Sequence, residues 1–467
     1  MSQNNVVRLM LSAGLILLPA MLGAQAFPVA VGTDTCFSRG AVYGGQNGIV
    51  SIHGDSLSPN NITAQRVYPP DSLIGDRISI GRQGIFPGAA VRSDGTNYLL
   101  VWIEYNGDFN GQFIDNSGNL VGSYFTIGTN ASFDHPSYDL CYGDTTFLVV
   151  YTKSGNYLHG QLVSRSGNLI GGQIQISGNQ ARDVSIAYDG SNFLVAWVEI
   201  IPTTDKDVYG QFVSKNGTLV GANFVIDNGP YYSDNPTALA FDGTRYLLCQ
   251  HEGTATATML LGRFITTSGT VDQTITICDS ARVPQFPSVA FDGANYLVTW
   301  TQIFDRQLMG RFWDPAGVPV AEPFVVLDSI DSKIPFGGVG FGGDWFLVVG
   351  SRVDMSFTDG DVYGSFIYKT GIEEGGLQMP GDVVRFQAHP NPFRAQAELS
   401  FNLAAPAFVS LKVYDVTGRE AATVISELLP GGSHTRQWDA TGMPSGVYYC
   451  RLRAGSATQT KALLLLR

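Results

Sequence analysis

The chain has 467 residues, 44% of them hydrophobic, and a formal charge of −12 from 28 basic and 40 acidic side chains. The charge is uneven: residues 27–380 hold 18 basic and 34 acidic side chains, residues 381–467 hold 9 and 6. So acidic a body argues against nucleic acid and anionic membrane as partners and suits solubility outside a cell.

At the N-terminus, Arg8 precedes an apolar core from Leu9 to Leu22 and the small-residue signature Ala24-Gln25-Ala26. An apolar run this short ending in A-x-A reads as a secretory signal peptide over 1–26, cleaved near Ala26, and not as a membrane span. No later segment offers about 18 uninterrupted apolar residues, so no integral anchor is expected.

The next stretch repeats one phrase. It is weakest as AVYGGQNGIVSI (41–52) and returns as AAVRSDGTNYLLVW (89–102), SYDLCYGDTTFLVVY (137–151), VSIAYDGSNFLVAW (184–197), TALAFDGTRYLLCQ (237–250), PSVAFDGANYLVTW (287–300) and GVGFGGDWFLVV (338–349). An apolar run, an Asp-Gly turn and a second run rich in aromatic and β-branched residues make a β-hairpin. A third strand follows each hairpin, marked by Gly and then Gln or Arg, as in Gly111-Gln112, Gly160-Gln161, Gly210-Gln211, Gly262-Arg263 and Gly310-Arg311. Gly364-Ser365 and Ala64-Gln65 are weaker copies, and the marks stand 47 to 54 residues apart. A glycine turn and a short fourth strand such as Phe224-Val225-Ile226 complete the unit. Four strands in about 50 residues, apolar on both faces, predict an all-β fold: a seven-bladed β-propeller over 27–368. The seventh unit stops after its third strand, and Pro28 to Val31 has fourth-strand character. The N-terminal strand is therefore expected to complete the last blade and remove a bare sheet edge.

Residues 369–380 have no period and read as a linker. The remaining 381–467 read as a small β-sandwich. Its motifs come in the order His389-Pro390-Asn391-Pro392-Phe393, Leu399-Ser400-Phe401, Val413-Tyr414-Asp415-Val416-Thr417-Gly418-Arg419, Gly432, Trp438-Asp439, Ser445-Gly446-Val447-Tyr448-Tyr449 and a final Lys461 to Arg467. This order resembles the C-terminal sorting domain of the type IX secretion system (type A) and the related Ig-like domain of the flagellar-hook capping protein. Cys450 departs from the pattern, standing where an aromatic is usual. The resemblance implies a bacterial protein exported through the outer membrane, with secretion machinery as the partner of 381–467. The tail is then an address that is often removed as the cargo is fixed to the surface.

The five cysteines are Cys36, Cys141, Cys249, Cys278 and Cys450. Cys141 and Cys249 fall where other repeats carry small core residues, and the odd count without C-x-x-C spacing speaks against both a disulfide framework and a zinc site. Gly338-Val339-Gly340-Phe341-Gly342-Gly343 fits G-x-G-x-x-G but opens onto a strand and not a helix. The recurring Asp94, Asp189, Asp242 and Asp292 are one carboxylate per turn, which suits hairpin shaping better than calcium. No cofactor, metal site or catalytic motif emerges.

A closed ring would bring the second-to-third and fourth-to-first loops to one face, the expected ligand side. The candidates there are Arg82, His135, Arg182, Tyr231, Tyr232, Arg282, Glu104 and Glu199. Arginines with aromatics suit the grip of an acidic sugar. These residues favour a monomeric, secreted or surface-held, non-catalytic propeller that binds a glycan or protein. The alternative is a glycoside hydrolase or lyase with its acid and base among Glu104, Glu199, Glu252 and Asp207; a third is a structural surface-layer role.

Overall fold

A computed structural model describes residues 26–30, 41–43, 47–54, 61–69, 71–85, 89–133, 136–200, 207–229, 238–253, 258–279, 283–328, 334–353, 360–369, 383–403, 407–415, 419–454 and 457–466. Residues 1–25 of the expected signal peptide, Cys36, His135, Tyr231, Tyr232, Arg282 and residues 370–380 of the expected linker lie outside them. Among the described residues there is no helix, so none is long and apolar enough to cross a membrane.

Each repeated phrase forms the first two strands of an antiparallel sheet. The first sheet runs Ala41–Tyr43, Gly48–His53, Asn61–Tyr68 and Ser72–Gln83; the second Ala90–Ser93, Asn97–Ile103, Phe109–Asp115 and Leu120–Gly128. The third opens with Tyr138–Gly143, Thr146–Thr152 and Tyr157–Ser164, and its last strand, Leu169–Tyr188, is also the first of the fourth, which continues with Asn192–Glu199, Val208–Ser214 and Leu219–Asp227. The fifth holds Ala238–Phe241, Arg245–Gly253, Thr258–Thr266 and Val271–Cys278, and the sixth Pro284–Phe291, Tyr296–Gln302, Gln307–Trp313 and Phe324–Leu327. The seventh holds Ile334–Gly342, Trp345–Val353 and Gly360–Tyr368 and gains the strand Phe27–Ala30 at its outer edge.

Two details depart from the sequence expectation. The third and fourth units are not separate, because the joining segment is hydrogen bonded along both sides: Ala181 N donates to Asn156 O at 2.8 Å and Ile200 N to Gln180 O at 2.8 Å. The fourth strand of the fourth sheet is also longer than Phe224-Val225-Ile226, beginning at Leu219 and passing through a bulge opposite Gly210–Phe212.

The bulge explains the Gly-Gln mark. It leaves strand carbonyls unpaired, and the glutamine amide supplies the missing donor. Gln112 Nε2 donates to Phe113 O, Val121 O and Gly122 O at 3.0, 3.1 and 3.3 Å, and Gln211 does the same to Phe212 O, Val220 O and Gly221 O. The glycine beside it makes room for a ring from the fourth strand. A Cβ at Gly210 would stand 2.6 Å from Phe224, and one at Gly364 would stand 2.6 Å from Phe27. Phe27 thus does in the seventh sheet what Phe224 does in the fourth, pairing opposite Gly364 and stacking on Phe366 at 5.8 Å.

Burial on two faces follows from sheet stacking. On the strand Asn97–Ile103, Tyr98, Leu100 and Trp102 pack with Ile49 and Ile62 of the first sheet, while Leu99, Val101 and Ile103 pack with Leu140, Phe147 and Val149 of the third. Innermost strands touch in succession from sheet to sheet, and Ala41–Tyr43 touches Ile334–Gly342. At the opposite ends, each aspartate shapes its turn: Asp94 Oδ1 accepts Thr96 N and Asn97 N at 2.8 and 2.6 Å, and Asp292 Oδ1 accepts Ala294 N and Asn295 N at 2.8 and 2.6 Å. Gly95 and Gly293 follow at φ 84° and 96°, where a side chain would be strained.

In the tail, Val383–His389, Gln396–Leu403 and Gly432–Asp439 form one sheet, and Glu420–Leu429, Ala407–Tyr414, Gly446–Ala454 and Ala457–Leu465 another. One core joins them, with Phe393 against Trp438 at 5.2 Å and Trp438 against Tyr448 at 5.4 Å. The His-Pro-Asn-Pro-Phe motif pins the last strand: Asn391 Nδ2 donates to Ala462 O at 2.8 Å and its Oδ1 accepts Leu464 N at 2.9 Å.

Candidate functional site

The face considered is the one where second strands end, third strands begin, and fourth strands hand over to the next sheet. Of the candidates named above, Arg82, Arg182, Glu104, Glu199, Glu252 and Asp207 are described, and the Asp207 carbonyl accepts Glu199 N at 2.8 Å. Arg82 ends the first sheet's fourth strand and Glu104 follows the second sheet's second strand, so stacking puts them face to face. Arg82 Nε and Nη2 donate to the two Glu104 oxygens at 2.7 Å each, Trp102 Nε1 adds a bond to Glu104 Oε1 at 3.3 Å, and the Arg82 guanidinium sits 4.3 Å from the Tyr124 ring. The bond to Glu104 holds the Arg82 guanidinium above its ordinary pKa. Glu199 is buried and accepts Asn179 Nδ2 at 2.7 Å. Arg182 lies on the strand shared by the third and fourth sheets, its Nε 3.3 Å from Asp183 Oδ2.

Glu252 belongs to a cluster the repeat pattern did not announce. Arg263 follows its glycine as the bulge-filling glutamines do, yet here the strand pairs in register, Arg263 opposite Thr274, and the side chain turns to two carboxylates. Its Nη2 contacts Asp227 Oδ1 at 2.8 Å and Glu252 Oε2 at 3.0 Å, and Gln250 Nε2 donates to Asp227 Oδ2 at 2.6 Å. The two carboxylates are brought together, but with a guanidinium between them. An acid that must give up a proton is poorly served by that arrangement.

What projects instead is aromatic. Tyr105, in the turn after Glu104, is 60% exposed, and Phe133, in the loop leaving the second sheet, is 50% exposed. Phe304 of the sixth sheet is 73% exposed. None belongs to the repeated phrase, so periodicity carried no sign of them; an aromatic next to a glycine turn was the one available signal. The two loops that carry Tyr105 and Phe133 are bonded together, Ala131 N donating to Gly107 O at 2.9 Å.

The described cysteines, Cys141, Cys249, Cys278 and Cys450, are free thiols. Burial pushes Cys141 and Cys450 up to about 12 and raises Cys249 as well, so these thiols are held protonated.

Residues 387–465 match the model of the secretion system C-terminal sorting domain, so the tail is a sorting domain of the type IX secretion kind. No curated protein matches the chain. Among solved structures, the chain is similar to the BP39L lectin from Burkholderia pseudomallei, with TM-score 0.54 and 13% identity over 73% of this chain and 97% of that one. It is also similar to the β-propeller domain of the Trilobed protease from Pyrococcus furiosus, with TM-score 0.45 and 11% identity over 73% of this chain and all of that one. The body has a β-propeller fold.

Proposed function

We propose that the chain is an exported bacterial protein, secreted or held on the outer cell surface, whose body is a non-catalytic binding module for a glycan or protein. In this reading residues 1–26 are a leader, 27–368 a monomeric ring of seven blades closed by the N-terminal strand, 369–380 a linker and 381–467 an Ig-like address. The sorting tail supports export, and the unbroken succession of inner strands supports the closed ring.

The observation that carries the binding reading is how the carboxylates on the ligand side are occupied while aromatics are left in the open. Glu104, Glu199 and Glu252 each accept a strong donor from a neighbouring strand, whereas Tyr105, Phe133 and Phe304 stand in solvent. A hydrolase needs one proton-bearing carboxyl and a partner about 5 to 9.5 Å away; a binding surface needs exposed rings and rigid backing. That a lectin is among the similar folds fits this use without assigning it.

The test is a binding screen of the secreted chain against soluble polysaccharides and cell-wall fractions, with reducing-end release followed in the same samples. Binding without release is the expected outcome. Sugar release that is lost in Glu252→Gln or Glu199→Gln would overturn the reading in favour of a glycosidase.

A further inference from the structure

We infer that the turn Glu104–Asp108 and the segment Ala131–Phe133 form a subsite for an uncharged sugar ring of a glycan, an inference that rests on the binding-module reading above. The turn is closed by Glu104 N donating to Asp108 O and Gly107 N to Glu104 O, each at 2.9 Å. The neighbouring segment is bolted to it through Ala131 N and Gly107 O, and to the third sheet through Ser132 N and Thr152 O at 2.9 Å and Ser154 N and Asn130 O at 2.7 Å. Gly107 has φ 83°, and a Cβ there would stand 3.7 Å from Phe133 Cε2, so the Phe133 ring lies beside the turn that carries Tyr105.

Two half-exposed rings on bonded loops are costly to leave in water and are rigid before any ligand arrives. Flat aromatic faces of this kind take up the C–H face of a sugar ring. Next to them, Asn106 Nδ2 donates to Asp108 Oδ2 at 2.7 Å and Asn106 Oδ1 accepts Asp108 N at 2.9 Å. These bonds orient an amide and a carboxylate whose remaining hydrogen and Oδ1 have no partner among the described residues, which suits sugar hydroxyls.

Charge decides the class of sugar. Of the nearby cations, Arg82 is neutralised by both oxygens of Glu104, while Lys153, whose Nζ donates to the uncharged Gln173 Oε1 at 3.0 Å, keeps its charge. Asp108 matches the charge of Lys153, so the turn has no net positive charge and, within an acidic body, offers a uronate or sulfated ring no electrostatic gain over an uncharged one.

Native gels cast with a soluble β-glucan, a galactomannan, a xylan or alginate test this with the full secreted chain. Retardation is expected in a neutral gel. Tyr105→Ala and Phe133→Ala are each expected to weaken it by about tenfold or more, and Val318→Ala, an exposed apolar side chain in the third-to-fourth turn at the opposite end of the sixth sheet, to leave it unchanged. Melting curves show that the variants fold. Neutral-gel retardation that survives in the Tyr105→Ala/Phe133→Ala double variant, or retardation confined to alginate, overturns the subsite and leaves the binding module standing. Retardation in none of the gels overturns the subsite, and only a failure to bind cell-wall fractions as well removes the binding module.

Discussion

The second strands of the body and the strands of the tail draw on similar residues but bury them differently. Tyr246 to Cys249 of the fifth sheet is fully buried along its whole length, whereas Gly446–Ala454 of the tail alternates, with Tyr448, Cys450 and Leu452 inside and Val447 and Tyr449 outside. A body sheet has a neighbour on each face; a tail sheet has one. The body therefore tolerates a charge between sheets only where a partner is built in, and the tail tolerates it on any outward position.

The sharpest way to break that contrast is at Arg263. Arg263→Ala leaves the buried Glu252 and the half-buried Asp227 facing each other without their shared guanidinium, and a loss of about 3–5 kcal/mol is expected in urea denaturation. Leu247→Ala, in the same sheet, is expected to cost about 2–5 kcal/mol, while Val447→Ala in the tail changes stability by less than about 0.5 kcal/mol. Gln211→Ala falls between, at about 1–3 kcal/mol, because the bulge carbonyls of Val220 and Gly221 lose their donor. Equal losses for Leu247→Ala and Val447→Ala would remove the distinction between two-faced and one-faced sheets.

Acid probes the same feature more gently. Burial lowers the pKa of His53, against a raising bond to Gly84 O, and burial also lowers that of His251, both from 6.5. An unfolded histidine then takes up a proton before the folded one does, so stability is complete above about 6.5 and declines as pH falls below it. Melting temperatures measured from about pH 7 down to about pH 5 should fall, and His53→Gln should flatten part of that slope.

Much of this architecture was legible because sheet stacking imposes a period. The hairpin phrases, the Gly-Gln mark and the fourth-strand character before the first hairpin all reflect contacts that recur at every sheet, and the tail motifs name residues that pin its last strand and fill its core. The parts that escaped have no such repetition. Arg263 follows its glycine as the glutamines do, and Glu252 on the adjacent strand with Asp227 across the sheet boundary draws its guanidinium aside. Tyr105 and Phe133 lie on loops whose sequences are free to differ from unit to unit. Arg82 and Glu104 were named as separate ligand groups, and stacking makes them partners of each other. The shared strand Leu169–Tyr188 went unseen because backbone bonds on both its sides need no particular side chain.

The common ligand face depends on the ring being closed by Phe27–Ala30. Amide hydrogen exchange of the secreted chain, read by mass spectrometry, addresses that closure directly. The account predicts that Val29 and Ala30 exchange as slowly as Val362–Tyr368, the strand they pair with. Exchange of this segment at the rate of an unstructured peptide, with Val362–Tyr368 still protected, would contradict it.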